Sequence, residues 1–256
     1  MEVVLLTALG VGGATVIGAV LGLFFKNPSH KLNDIILSFA AGVMLAAAVM
    51  GLVIPSLEYG EGQKLSLLVT IAGIFCGAVC LNLVDKLVPH LHKLTGVGSL
   101  EEAHPESSAR LNKVLLFVIA IAIHNLPEGI AAGVSFGSGD LSQALTVAGG
   151  IALQNIPEGM IIISPMIAGG MSRTRTFVIA MMTGVVEVIG TFIGYFAVSI
   201  STAILPFALA FAGGTMLYVI SDEMIPETHA HGNEREATYA LLVGFCVMLV
   251  FDVLLG

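Results

Sequence analysis

Two six-residue segments, HNLPEG at 124–129 and QNIPEG at 154–159, place an imidazole, amides and a carboxylate inside long apolar runs. His124 and Glu128 are four residues apart, as are Gln154 and Glu158, so each pair lies on one helical face. Glu187 is a third acid, in the middle of a later apolar run. An ionisable group at bilayer depth costs about 3 kcal/mol or more, and it normally meets a partner, a water-lined path or an ion. No Lys or Arg lies at similar depth to neutralise these three acids. A cation is the simplest remaining partner.

The donor types narrow the cation. Carboxylate, imidazole and amide oxygen suit a borderline divalent ion such as Zn²⁺, Fe²⁺ or Mn²⁺, whereas a Cu(I) path would carry paired thiolates and thioethers. The 11 Met residues are scattered without such pairing and read as packing residues. Cys76, Cys80 and Cys246 fall in apolar runs, form no CxxC pair, and read as small core residues.

The elements that must position these groups follow from hydropathy. The chain has 256 residues, 56% of them hydrophobic and 11% charged. Its mean hydropathy of +0.97 belongs to an all-α integral membrane protein. A span needs about 20 apolar residues. Eight stretches qualify as transmembrane helices: 3–25, 34–57, 65–88, 114–136, 143–168, 176–200, 203–225 and 237–255. Only a tight turn before Pro206 separates the sixth and seventh. With the N- and C-termini on the outer side, nine of the ten basic residues fall inside, Lys64 being the exception. The first run lacks a basic leader and is too long for a signal-peptide core, so it is expected to be a true span.

The fourth and fifth spans are antiparallel through the turn GSGDLS at 137–142, so positions whose numbers sum to about 282 share a depth. His124 with Glu158 and Glu128 with Gln154 meet that sum, and the same arithmetic about the inner turn near residue 172 brings Glu187 level with Glu158. Pro127 and Pro157 have no N–H for the carbonyls of Ile123 and Leu153, which predicts kinks and freed carbonyls beside the acids. Gly129 and Gly159 allow close helix approach. A longer connector, residues 89–112, holds His90, His92, Glu101, Glu102, His104 and Glu106. It reads equally as a hydrophilic linker or as a weak metal contact.

At these residues the sequence resembles the ZIP family of divalent-metal transporters, in particular its GufA-type branch. SFAAGVMLAA at 38–47, PHLH at 89–92 and DEMIPETH at 222–229 agree as the two PEG segments do. The resemblance covers nearly the whole chain as one transmembrane transporter domain, 1–256, with 89–112 as a cytoplasmic loop between spans 3 and 4. It implies inward transport of divalent cations, zinc first and cadmium, iron and manganese beside it, through a mid-membrane binuclear site. One metal would be held by His124, Glu128, Gln154 and Glu158. A second would be held by Asn125, Glu128, Asn155, Glu158 and Glu187. Many relatives have His at the position of Gln154 and some have Asp at that of Asn155. Asp222 stands where close relatives have His.

The resemblance further implies an outer mouth acid at Glu58, and an inner exit lined by Asp85, His90, His92, Asp222, Glu223, Glu227, His229 and His231. Read from the residues alone, that acid and His cluster is equally a solvated decoration of helix ends. A homodimer, lipid as surroundings, no nucleic acid, and a multi-pass place in the membrane, the inner one if the source is a bacterium, complete the expectation. The metal is cargo and no prosthetic group is implied.

A channel using the same ligands as a selectivity ring stays open as an alternative. An intramembrane zinc enzyme fits poorly, because HNLPEG lacks the second His and the neighbouring base of HExxH. A scaffold without transport has no use for mid-membrane acids.

Overall fold

The computed structural model describes the backbone of residues 1–24, 29–59, 63–94, 105–168 and 170–255. These residues are predominantly helical, with no strand among them. The long helices are α1 (Glu2–Phe24), α2 (His30–Glu58), α3 (Gln63–Leu94), α4 (Pro105–Ser135), α5 (Leu141–Ala168), α6 (Arg173–Ile200), α7 (Leu205–Thr228) and α8 (Glu234–Leu255). Among the described residues, seven helical stretches are long and apolar enough to cross a membrane, in α1, α2, α3, α5, α6, α7 and α8. Helix reaches into both ends of the predicted loop at 89–112: α3 runs to Leu94 and α4 begins at Pro105. Residues 95–104, with Glu101, Glu102 and His104, lie outside the described residues.

Local chemistry sets the ends. Ser29 and Ser172 cap α2 and α6, their hydroxyl oxygens accepting from the N–H groups of Leu32 at 3.2 Å and Arg175 at 3.3 Å. Between α4 and α5 the chain turns through Phe136–Ser138 and Gly139, whose φ of 76° is left-handed. Asp140 Oδ1 then accepts from the N–H groups of Ser142 at 2.9 Å and Gln143 at 3.2 Å. This tight reversal fixes the relative height of the two PEG helices.

Prolines act unevenly. α4 and α5 stay helical through Pro127 and Pro157. α2 and α7 instead widen into π-helical turns, Ala47–Val53 and Ile220–Met224, each just ahead of an Ile-Pro pair. The N–H groups of Ile54 and Ile225 bond five residues back, to the carbonyls of Val49 and Ile220.

Helix pairs meet through glycine backbones. Gly129 and Gly133 of α4 abut the carbonyls of Glu187 and Thr191 on α6, while Gly190 and Gly194 abut those of Leu126 and Ile130 in return. Gly18 and Gly159 do the same between α1 and α5, Gly42 and Gly244 between α2 and α8, and Gly77 and Gly214 between α3 and α7. In a bilayer, where lipid is as apolar as Leu, such small-residue contacts are what hold helices together.

Ala40, Met44, Leu52, Ala131, Val147, Ile151, Leu209 and Met216 belong to the largest buried cluster. The outside is equally apolar: Leu65, Leu68, Phe75 and Val79 on α3, and Leu242, Val250 and Val253 on α8, are exposed. Cys76, Cys80 and Cys246 are free thiols on this outer surface, which corrects their reading as core residues. Lipid and core are both apolar surroundings, so hydropathy did not separate them.

Candidate metal centre

Glu187 of α6 gathers three other helices. Its Oε1 accepts from the Thr15 hydroxyl of α1 at 2.6 Å and from the Asn125 amide of α4. Its Oε2 accepts from the Asn155 amide of α5 at 2.6 Å. Asn125, Glu128, Gln154, Asn155 and Glu187 are all buried, with at most 1% of their surface exposed. Glu128 lies beside Gln154 and close to the carboxylates of Glu158 and Glu187. The depth arithmetic of the sequence therefore matches the observed convergence of α4, α5 and α6.

These polar groups are poorly satisfied by the protein itself. Among the described residues, the buried side-chain atoms without a hydrogen bond include both oxygens of Glu128, both polar atoms of Gln154, Oδ1 of Asn125 and of Asn155, and Nε2 of His124. The others are the hydroxyls of Ser38, Thr146 and Thr176. A buried acceptor left without a donor costs about 1–3 kcal/mol, more when charged, so their concentration at one depth marks this as the candidate metal centre. Among the described residues, no group of three His, Cys, Asp or Glu side chains is arranged to hold a metal by itself. The amides of Asn125, Gln154 and Asn155 lie beside the acids at this point.

A cavity of about 490 Å³ reaches this centre. Its lining includes His124 and Glu158, then Asp222, Glu223 and Glu227 of α7. The π turn carries Asp222 and Glu223 to that wall. His124 Nε2 is 2.7 Å from Oε1 of Glu223, an ion-pair distance without hydrogen-bond alignment. Toward the α4–α5 turn lies apolar packing that includes Ala131, Val134, Val147, Ile151, Val198, Leu205 and Leu209. The open face is the one that carries Lys31, Arg173, Arg175 and Arg235 at helix starts.

The outlying predicted residues separate into groups. Glu58 is exposed at the far end of α2 and lines no part of the cavity. His229 closes the end of α7, its Nδ1 lying 2.8 Å from the Ile225 carbonyl. His231 Nδ1 is 3.0 Å from Oδ1 of Asp34 and its ring stacks on His30 at 4.7 Å. Asp34 Oδ2 also accepts from Asn233 at 2.8 Å, so this buried acid ties α2 to the α7–α8 turn. The side chains of Asp85, His90 and His92 lie outside the described residues. Sequence reasoning missed Asp34 and Thr15. Thr15 had a faint signal, being the polar member of the stripe Gly12, Gly18, Ala19 and Gly22.

Comparison with known proteins agrees with the geometry. Residues 96–252 match the family profile described as ZIP Zinc transporter. The chain is 42% identical over 256 residues to "Zinc transporter GufA" of Myxococcus xanthus, covering 98% of each chain. It is 38% identical over 248 residues to "Zinc transporter ZIPB" of Bordetella bronchiseptica, covering 95% of this chain and 78% of that protein. "Zinc transporter ZupT" of Chlorobaculum parvum is 34% identical over 248 residues, with 93% and 92% covered. Near full-length identity at this level joins the intramembrane PEG cluster and the helical bundle to one conclusion: the chain belongs to the ZIP family of zinc transporters.

Proposed function

We propose that this protein carries Zn²⁺, and divalent ions of like chemistry such as Cd²⁺, Fe²⁺ and Mn²⁺, into the cytoplasm through the cage of His124, Asn125, Glu128, Gln154, Asn155 and Glu158, with Glu187 behind it. The observation that carries this reading is the cluster of buried, unpartnered polar atoms at the meeting of α4 and α5. The names of the relatives support zinc as the cargo.

The chain acts as eight spans in one transporter domain, both termini outside and the basic cavity face inside, in keeping with the placement of Lys and Arg. It sits in a membrane, the inner one if the source is a bacterium, surrounded by lipid, as a homodimer. His124 and Glu158 stand where the cavity meets the buried groups, so they hand the ion on to Glu223, Asp222 and Glu227. Asp85, His90 and His92 continue that exit, and Glu58 serves the outer mouth. The apolar layer that shuts the other side favours alternating access over an open channel.

The test is uptake into vesicles containing the purified protein and an internal metal indicator. Saturable Zn²⁺ uptake, competed by Cd²⁺, is expected. Flux that never saturates would point to a channel, and no flux for any divalent ion would overturn the reading. Carboxylate and imidazole ligands must be deprotonated to bind, so apparent affinity is expected to fall as the medium is acidified from pH 7.5 toward about 5.5. An affinity that rises on acidification would contradict the ligand set.

A further inference from the structure

The two asparagines of the centre are oriented by their surroundings. Asn125 spends one amide hydrogen on Glu187 Oε1 and directs the other at the Thr183 carbonyl, 3.4 Å away. Asn155 spends one on Glu187 Oε2 at 2.6 Å and the other on the Val11 carbonyl at 3.3 Å. Turning either amide over would set its oxygen against a carboxylate and a backbone carbonyl, two acceptors at once. The donors therefore face Glu187, and this fixes an assignment that electron density at ordinary resolution would leave open. What remains is one unbonded Oδ1 on each asparagine, buried and without a donor.

Glu187 is correspondingly occupied. Three donors from α1, α4 and α5 converge on its two oxygens. A metal bound directly to Glu187 would have to displace them, and the freed amide hydrogens would then point at the cation. Glu128, by contrast, has no aligned hydrogen bond on either oxygen, with Gln154 beside it. Two buried acids of the same cluster thus differ: Glu187 accepts three hydrogen bonds from neutral groups, whereas Glu128 has only Gln154 beside it and no aligned donor.

We propose that Glu187 is a positioning residue and not a metal ligand: by holding the amide hydrogens of Asn125 and Asn155, with Thr15 as its brace, it presents their two Oδ1 atoms to a single divalent ion. This rests on the metal-carrying reading above and deepens it, replacing the two-ion site that the resemblance implies by a one-ion site. The device follows the general rule that outer groups orient the first ligands and set their basicity. Neutral amide oxygens in place of a second carboxylate also lower the charge of the cage, which suits one divalent ion and not two.

The experiment is metal-binding stoichiometry and affinity of the full chain in lipid nanodiscs, by equilibrium dialysis with Zn²⁺ and with Cd²⁺. The native protein is expected to bind one equivalent. Glu187→Gln introduces an amide N–H₂ facing one asparagine's own donors, so stoichiometry should stay at one while affinity falls about ten-fold or more. Thr15→Val should weaken binding in the same direction, and Thr15→Ser should restore it, a rescue that mere loss of packing would not give. Two equivalents in the native protein, one of which Glu187→Gln removes while the other keeps its affinity, would overturn the proposal. So would unchanged affinity in both Glu187→Gln and Thr15→Val. Absence of any bound Zn²⁺ or Cd²⁺ to the native protein would instead sink the metal-carrying reading itself, so the two failures are told apart.

Discussion

Glu128→Ala and Glu158→Ala are each expected to cut Zn²⁺ uptake by at least about 100-fold, since even outer-shell partners of a metal are worth 10–100-fold. The loss should not come from misfolding. Glu128 is fully buried with no aligned donor on either oxygen and only Gln154 beside it, so its removal forfeits little hydrogen bonding and relieves a poorly compensated polar group. Thermal stability of Glu128→Ala in the absence of metal should therefore match or exceed that of the native protein. Added Zn²⁺ should raise the native midpoint and leave that of the variant in place, because a ligand stabilises only a state that binds it. Uptake near the native rate in either variant would remove the acids from the transport path.

The second large effect is expected at Gly129. A Cβ there would press on the backbone of Glu187, whose Cα and carbonyl carbon would each be 2.9 Å away. No rotamer change relieves a clash with main chain, so α4 and α6 must separate. Gly129→Ala is expected to cost about 1–3 kcal/mol of stability. Because the displaced helix carries the amide and acid that face Glu187, uptake should also drop about ten-fold, misplacement of about 1 Å being enough for larger losses elsewhere. Gly13→Ala is the control, since a Cβ there would meet nothing within 4 Å. Equal melting midpoints and equal uptake for the two alanine variants would show that the close contact does not position the site.

Much of this centre was legible before any coordinates. The periodic four-residue spacing and the antiparallel turn at 137–142 place His124, Glu128, Gln154 and Glu158 by simple arithmetic, because a helix has a fixed rise and a short turn leaves no slack. Contacts between elements far apart in sequence were not legible. Asp34 meets His231 and Asn233 across 197 and 199 residues, and Thr15 meets Glu187 across 172. No local pattern encodes such pairs. The π turns show a different limit: Pro127 and Pro55 look alike in the sequence, yet only the second is preceded by a widened turn. Which response a proline evokes depends on what packs against the carbonyl it orphans. The outward cysteines show a third limit, since an apolar run does not say which of its sides meets lipid.

The cavity beside His124 and Glu158 also governs where membrane voltage acts. Water and salt in a wide vestibule hold it near the potential of the solution it joins, so the electric field concentrates in the packed layer beyond Glu128, around Val134, Val147 and Leu209. An elementary charge crossing the full field gains or loses about 2.3 kcal/mol per 100 mV, and a divalent ion about twice that. Exchange between Glu158 and the vestibule therefore involves little electrical work. Nearly all of it falls on the movement that exposes the cage to the opposite solution. An imposed diffusion potential across the vesicle membrane should thus alter the turnover rate far more than the metal affinity measured from the vestibule side, and an affinity that shifts strongly with voltage would mean that the field reaches past His124.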